Sequence, residues 1–337
     1  MEITVGVLVF LVVLAVAFDF MNGLHDAANS IATVVSTGVM KPHHAVAFAA
    51  FFNFVAIFIF HLKVAATVGK GIVDPSIIDH YVVFGALVGA ISWNAITWFF
   101  GLPSSSSHAL IGGLCGAGAA GLGWGEIKPA GVEKVVTALV VSPILGFFAA
   151  FVGMVATYWA LRRARPAKVN AAARRLQLFS SGFMALSHGT NDAQKSMGVI
   201  TMALLAYHGN HDPTGKFPVP VWVILACAIA MGAGTASGGW RIIKTMGTRI
   251  FKLRPIHGCI AETSAALVIQ AASYLALPVS TTHCITAAIM GVGATTRLSA
   301  VSWGVTRRIV TAWILTIPMT AIMAALVYVA LTKVGLR

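Results

Sequence analysis

Two carboxylates, Asp26 and Asp192, stand inside long apolar runs of the chain. Each belongs to a short polar cluster, Gly23-Leu24-His25-Asp26-Ala27-Ala28-Asn29 and Gly189-Thr190-Asn191-Asp192-Ala193-Gln194-Lys195. A carboxylate at the centre of a membrane helix costs about 2.5–3.5 kcal/mol on insertion scales, so a cation, a proton or a hydrogen-bonding solute must compensate it. Asn29 and Lys195 follow three residues after each Asp, on the same face of a continuing helix. Lys195 then either neutralises Asp192 or meets an anionic solute. His25 beside Asp26 reads as a proton relay or as a brace for the carboxylate.

A second pair of motifs supplies the complementary chemistry: Leu102-Pro103-Ser104-Ser105-Ser106-Ser107-His108 and Leu277-Pro278-Val279-Ser280-Thr281-Thr282-His283. Pro followed by Ser or Thr ahead of an apolar run is N-cap chemistry, which gathers free backbone N–H groups and hydroxyls at a helix start. A helix N-terminus favours an anion, and two such ends brought together would clamp a tetrahedral oxyanion. Ser, His and Asp also suggest a hydrolase triad, but no Gly-x-Ser-x-Gly elbow surrounds these serines, and a duplication would demand two triads. His108 and His283 read as hydrogen-bonded helix residues or as proton carriers. Glu262 is a further acid in an apolar run and needs a partner there. Asn53 and Asn94 read as amides that join helices, and Asp19 faces either the site or the surface.

The elements that must position these residues belong to a membrane protein. The 337 residues are 58% hydrophobic and 10% charged, with mean hydropathy +0.86, far from the quarter charged of a soluble domain. Apolar segments fall near 3–37, 43–61, 81–100, 104–123 and 133–161, then 176–207, 220–238, 258–276, 280–296 and 309–331. The segments 3–37 and 176–207 exceed a single crossing and carry the Asp clusters, which predicts broken helices. The Asp motifs recur 166 residues apart and the Pro-Ser motifs 175 apart, so the chain is an internal duplication. The first repeat spans 1–161, a basic linker 162–175, and the second repeat 176–337.

An odd number of crossings per repeat inverts the second copy, and the basic residues agree with that count. Arg162, Arg163, Arg165, Lys168, Arg174 and Arg175 fill one loop, Arg241, Lys244, Arg249, Lys252 and Arg254 a second, and Arg297, Arg307 and Arg308 a third. All three read as cytoplasmic, which leaves both termini external and explains the net charge of +13 without nucleic acid. The run from Ile3 to Phe18 lacks a basic leader and reads as a retained span. The four cysteines sit in apolar segments without metal-ligand spacing and read as packing thiols. Inverted repeats with matching interrupted helices point to a secondary transporter with its solute near the midplane. A channel with an anion filter is the other reading of such helix ends.

The four motifs, in this order and in inverted halves, resemble the inorganic phosphate transporter (PiT) family along essentially the whole chain. That resemblance implies an all-α polytopic fold of two inverted-topology repeats with broken helices and hairpin half-helices, about 10 to 12 membrane segments. It implies symport of inorganic phosphate across the plasma membrane by a homodimer in the bilayer. Asp26, Asn29, Ser104, Ser105, Asp192, Ser280, Thr281 and Thr282 are then substrate or ion contacts, to which the reading of the residues adds Ser106 and Lys195 as substrate contacts, and His25, Asn53, Asn191 and Glu262 serve ion or proton coupling. His25 replaces the usual Asn of the first motif, and Asn53 stands in Phe52-Asn53-Phe54 where sodium-coupled members place Glu. Both resemble the bacterial low-affinity branch, which implies proton coupling, with phosphate carried alone or as a divalent metal complex and no resident cofactor. Sodium-coupled phosphate symport and sulfate transport are the alternatives within the family.

Overall fold

A computed structural model describes residues 4–59, 63–74, 77–208 and 217–333. Among them there is no strand. Twelve α-helices run in order: α1 Val5–Ser36, α2 Pro42–Ile59, α3 Lys63–Gly71, α4 His80–Phe100, α5 Ser106–Gly121, α6 Pro129–Leu161, α7 Pro166–His208, α8 Val221–Ser237, α9 Trp240–Lys244, α10 Pro255–Tyr274, α11 Thr281–Thr296 and α12 Trp303–Lys333. Every predicted apolar segment forms one of these helices, and α3 and α9 are additions. α1, α2, α4, α6 and α12 are long and apolar enough to cross a membrane, and α8 joins the helical stretch Trp240–Arg249 through a 60° bend at Gly238 and Gly239. Phe10, Phe51, Phe58, Phe99, Phe148 and Ile314 are exposed, as lipid-facing side chains are where tails replace water.

The starts and stops follow local chemistry. Asp79 caps α4 by accepting from the Val82 N–H at 2.7 Å, and Pro129 and Pro255 open α6 and α10, where their missing N–H costs nothing. Gly101 ends α4 at φ +65°, and its counterpart 175 residues on, Ala276, holds φ +58° after α10. The same spacing links Pro143 inside α6 to Pro318 inside α12.

The expected breaks at the Asp clusters are not there: α1 runs unbroken for 32 residues and α7 for 43. The glycines serve close packing instead. A Cβ on Gly23 would lie 2.4 Å from the Met231 carbonyl of α8, and one on Gly189 2.7 Å from that of Asn53 in α2. The polar side chains find partners on neighbouring helices, so the backbone keeps its own ladder. The true interruptions are the hairpin turns before α5 and α11. Each of these helices has 16 residues, about 24 Å at 1.5 Å per residue, short of a full crossing.

The basic stretches are also more helical than loops. Lys168, Arg174 and Arg175 lie on the exposed, Ala-rich first turns of α7, Arg241 and Lys244 on α9, and Arg307 and Arg308 on α12. The predicted linker 162–175 is thus mostly the start of α7, as Ala-rich sequence favours.

The halves exchange partners. α1 packs on α8 and α7 on α2, while α12 packs on α5 and α6 on α11. One apolar cluster gathers the N-terminal part of α1 with α4, α5 and α8, and a second gathers its C-terminal part with α10 and α11. Between these two cores lies the polar centre. Of the four cysteines, Cys227, Cys259 and Cys284 are buried, Cys115 is partly so, and all are free thiols.

Candidate functional site

Asp26 is held from three elements. His25 Nδ1 lies 2.7 Å from Oδ1, Thr282 of α11 donates to the same oxygen at 3.1 Å, and Ser106 of α5 donates to Oδ2 at 3.1 Å. Ser106 also reaches Asn22 Oδ1, one turn before Asp26. His25 Nε2 is 3.0 Å from the Thr97 hydroxyl and 3.4 Å from that of Ser104, which donates to Thr97 at 2.9 Å.

Asp192 is held in a related way. Lys195 Nζ donates to Oδ1, Thr281 of α11 donates to Oδ2 at 2.7 Å, and His188 Nε2 lies 3.0 Å from Oδ2. Lys195 also donates to Ser107 of α5 and, at 2.9 Å, to the Val279 carbonyl. Asn29 Nδ2 donates to Thr282 at 2.9 Å and to Thr281 at 3.2 Å. Each first helix of a half therefore reaches the hairpin of the other half. Ser107 donates to Val279 O at 3.3 Å, and the rings of His108 and His283 lie 4.5 Å apart, which joins the two hairpins directly.

The two carboxylates meet. Asp26, Asp192 and His188 each place one ligand-type atom within 4.8 Å of the others. Two anions at that distance repel by about 3 kcal/mol at an effective dielectric constant near 20. Lys195 offsets that repulsion, and Asp26, Asp192 and Lys195 are all at most 2% exposed. The cluster is buried.

The donors suit a tetrahedral oxyanion. Ser105 accepts from the His108 N–H and Ser280 from the His283 N–H, each at 3.2 Å. These caps leave the N–H groups of Ser106, Ser107, Thr281 and Thr282 without intrahelical acceptors. With Lys195 Nζ, Asn29 Nδ2 and the four hydroxyls, they form a concentrated donor set. The carboxylates add acceptors for any proton the solute carries.

The structure brings Asp26, Asn29, Ser104, Ser106, Asp192, Lys195, Thr281, Thr282 and His25 into one network, and makes Ser105 and Ser280 its caps. Asn53 stands one step back, with Oδ1 3.3 Å from His188 Nδ1 and Nδ2 donating to Thr235 at 2.9 Å. Asn191 points away, donating to Ser273 at 2.7 Å and to the Leu277 carbonyl at 3.3 Å, so it anchors the second hairpin. Glu262 is a separate centre that accepts from Thr33, from Ser180 and, at 3.1 Å, from Gln177. Thr33 lies two turns past Asp26 on α1, about 10 Å along the axis. Asn94 is buried with no hydrogen-bond partner for its amide among the described residues, so it joins no helices. Sequence reasoning missed Asn22, Thr97 and His188. Asn22 and His188 were findable, because each lies four residues before its Asp at the same 166-residue spacing.

Residues 22–324 match the model of the phosphate transporter family. A protein of Rhizobium meliloti (strain 1021) named a probable low-affinity inorganic phosphate transporter is 51% identical over 325 residues, covering 96% of each chain. One of the same name from Bacillus subtilis (strain 168) is 44% identical over 336 residues, covering 99% of this chain and all of that one. A solved structure titled the sodium-dependent phosphate transporter superposes with TM-score 0.87 at 25% identity, over 97% of this chain and 99% of the other.

Proposed function

The chain belongs to the phosphate transporter family, and from that premise we propose that it is a secondary transporter that carries inorganic phosphate with protons across the plasma membrane. It is an integral membrane transporter, not an enzyme. The observation that carries the reading is the meeting of Asp26, Asp192 and Lys195 with the starts of α5 and α11 in a buried centre. Phosphate oxygens take hydrogen bonds from Lys195, Asn29, the hydroxyls and the free N–H groups. A phosphate O–H donates to an Asp. The side-chain donors each bond a neighbour within the cluster, so for them the solute exchanges one set of hydrogen bonds for another, which keeps the desolvation cost low.

Alternating access follows from the exchanged halves. The shared partners of α1 with α8 and α7 with α2, and of α6 with α11 and α12 with α5, support two inverted repeats rocking about the fixed centre. Both termini are then external and the basic stretches cytoplasmic, as the charge distribution favours. A homodimer carries this unit in the bilayer.

Proton rather than sodium coupling is supported by what surrounds Lys195. Its ammonium takes a carboxylate, a hydroxyl and a backbone carbonyl, the oxygen set that suits a hard cation. A tethered cation fills that place. Asn53 uses both ends of its amide to hold His188 and Thr235 and brings no charge. A divalent metal phosphate would meet Asp26, His188 and Asp192 as its ligands. The test is a vesicle loaded with a pH-sensitive dye in sodium-free buffer. External phosphate should acidify the lumen, and sulfate should not. Acidification that requires sodium, or none at all, overturns proton coupling.

A further inference from the structure

We propose that Asp19 is the residue that takes up and gives back the driving proton, an inference that rests on the proton-symport reading above. Among the described residues four carboxylates are buried: Asp19, Asp26, Asp192 and Glu262. Three of them are well satisfied. Asp26 has His25, Ser106 and Thr282, Asp192 has Lys195, His188 and Thr281, and Glu262 has Thr33, Gln177 and Ser180. Asp19 has one hydrogen bond, from the Ser196 hydroxyl to Oδ1 at 2.8 Å, and its Oδ2 has no partner among the described residues although the side chain is fully buried. A carboxylate out of water with a single well-formed hydrogen bond is the poorest anion of the four, and a proton on Oδ2 would remove the charge that burial disfavours.

Its position couples it to the substrate site without making it part of that site. Asp19 lies two turns before Asp26 on α1, about 10 Å along the axis, and Asn22 between them shares the Ser106 hydroxyl with Asp26. Its partner Ser196 is the residue after Lys195 on α7. The groups that face Asp19 are Ser196 from α7, the Cys227 thiol from α8 and Asn22 from its own helix, with Asp192 of α7 further off. No cation is among them. Ionised Asp19 therefore adds a negative charge on the side of Asp192, and protonation removes it before an anion enters. In the cycle an O–H bond forms on Oδ2 with a proton from water on the outer side. The same bond breaks to water on the inner side once phosphate has left, so one proton crosses with each turn.

The experiment compares two modes of transport by the full-length chain in liposomes: phosphate accumulation driven by an imposed pH gradient, and exchange of labelled against unlabelled phosphate at equal pH. Exchange needs no net proton movement. Asp19→Asn should lose gradient-driven accumulation by at least about tenfold yet keep exchange within about threefold and free of pH dependence, and Asp19→Glu should restore accumulation. Asp19→Asn that still accumulates phosphate against its gradient overturns the proposal. So does loss of both modes in Asp19→Asn and Asp19→Glu alike, which marks a structural role. An unsubstituted chain that exchanges phosphate but ignores the pH gradient overturns the proton-symport reading itself, and this arm separates the two failures.

Discussion

Lys195 and Asn29 occupy corresponding places in the two halves of the chain, and each reaches over to the opposite hairpin: Lys195 Nζ to Ser107, and Asn29 Nδ2 to Thr282 at 2.9 Å. One place holds a cation and the other a neutral amide. The centre is therefore electrically asymmetric, with the positive charge beside Asp192 and hydroxyl and imidazole donors beside Asp26.

Removing the cation leaves Asp192 buried and under-compensated next to Asp26. Lys195→Met is expected to cost about 3 kcal/mol or more, as for other broken buried pairs, and to lower phosphate uptake at subsaturating concentration roughly a hundredfold. Arg should not rescue it, because its planar fork does not fit a point-charge site. Uptake by both variants in vesicles checks this.

Thr282→Val keeps the shape of α11 but removes the donor to Asp26 and the acceptor for Asn29. A hydrogen bond to a charged group is worth about 1.5–3 kcal/mol. The half-saturating phosphate concentration should rise by about ten- to a hundredfold, with the chain still folded by thermal shift.

Ala276 holds φ +58° where the first hairpin has Gly101 at +65°. A left-handed residue with a Cβ costs roughly 1–2 kcal/mol, partly offset by the extra freedom glycine has when unfolded. Ala276→Gly should stabilise the chain in detergent by up to about 1 kcal/mol, read as a raised melting temperature, with transport intact.

Gly23→Leu and Gly189→Leu should abolish folded protein, because the Cβ alone would meet the carbonyls of Met231 and Asn53 and well-packed helices cannot absorb such volume. Size-exclusion profiles in detergent report it. Monodisperse variants would show that these helices separate freely.

The chemistry of the centre was legible in the sequence because each motif occurs twice. Asp26 with Asp192, and Ser106–Ser107 with Thr281–Thr282, stood out as residues that an apolar segment holds only for a purpose. The path of the backbone was less legible. Gly23 and Gly189 beside polar residues resemble a helix break, while their use is to let α8 and α2 approach. Asp19 could not be assigned a side from α1 alone, because that helix is apolar nearly all round and only its neighbours α7 and α8 define an inside. Asn191 illustrates the limit of a motif: its place beside Asp192 says nothing of direction, and it faces Ser273 instead.

The most direct test is labelled phosphate uptake into liposomes under an inward proton gradient without sodium, and separately under an inward sodium gradient at equal pH, each with and without Asp26→Asn. The proposed proton symport predicts uptake driven by the proton gradient alone and lost in the variant, since Asp26 loses an acceptor and its charge at the centre of the site. Uptake driven by sodium alone, or undiminished in Asp26→Asn, would contradict the account.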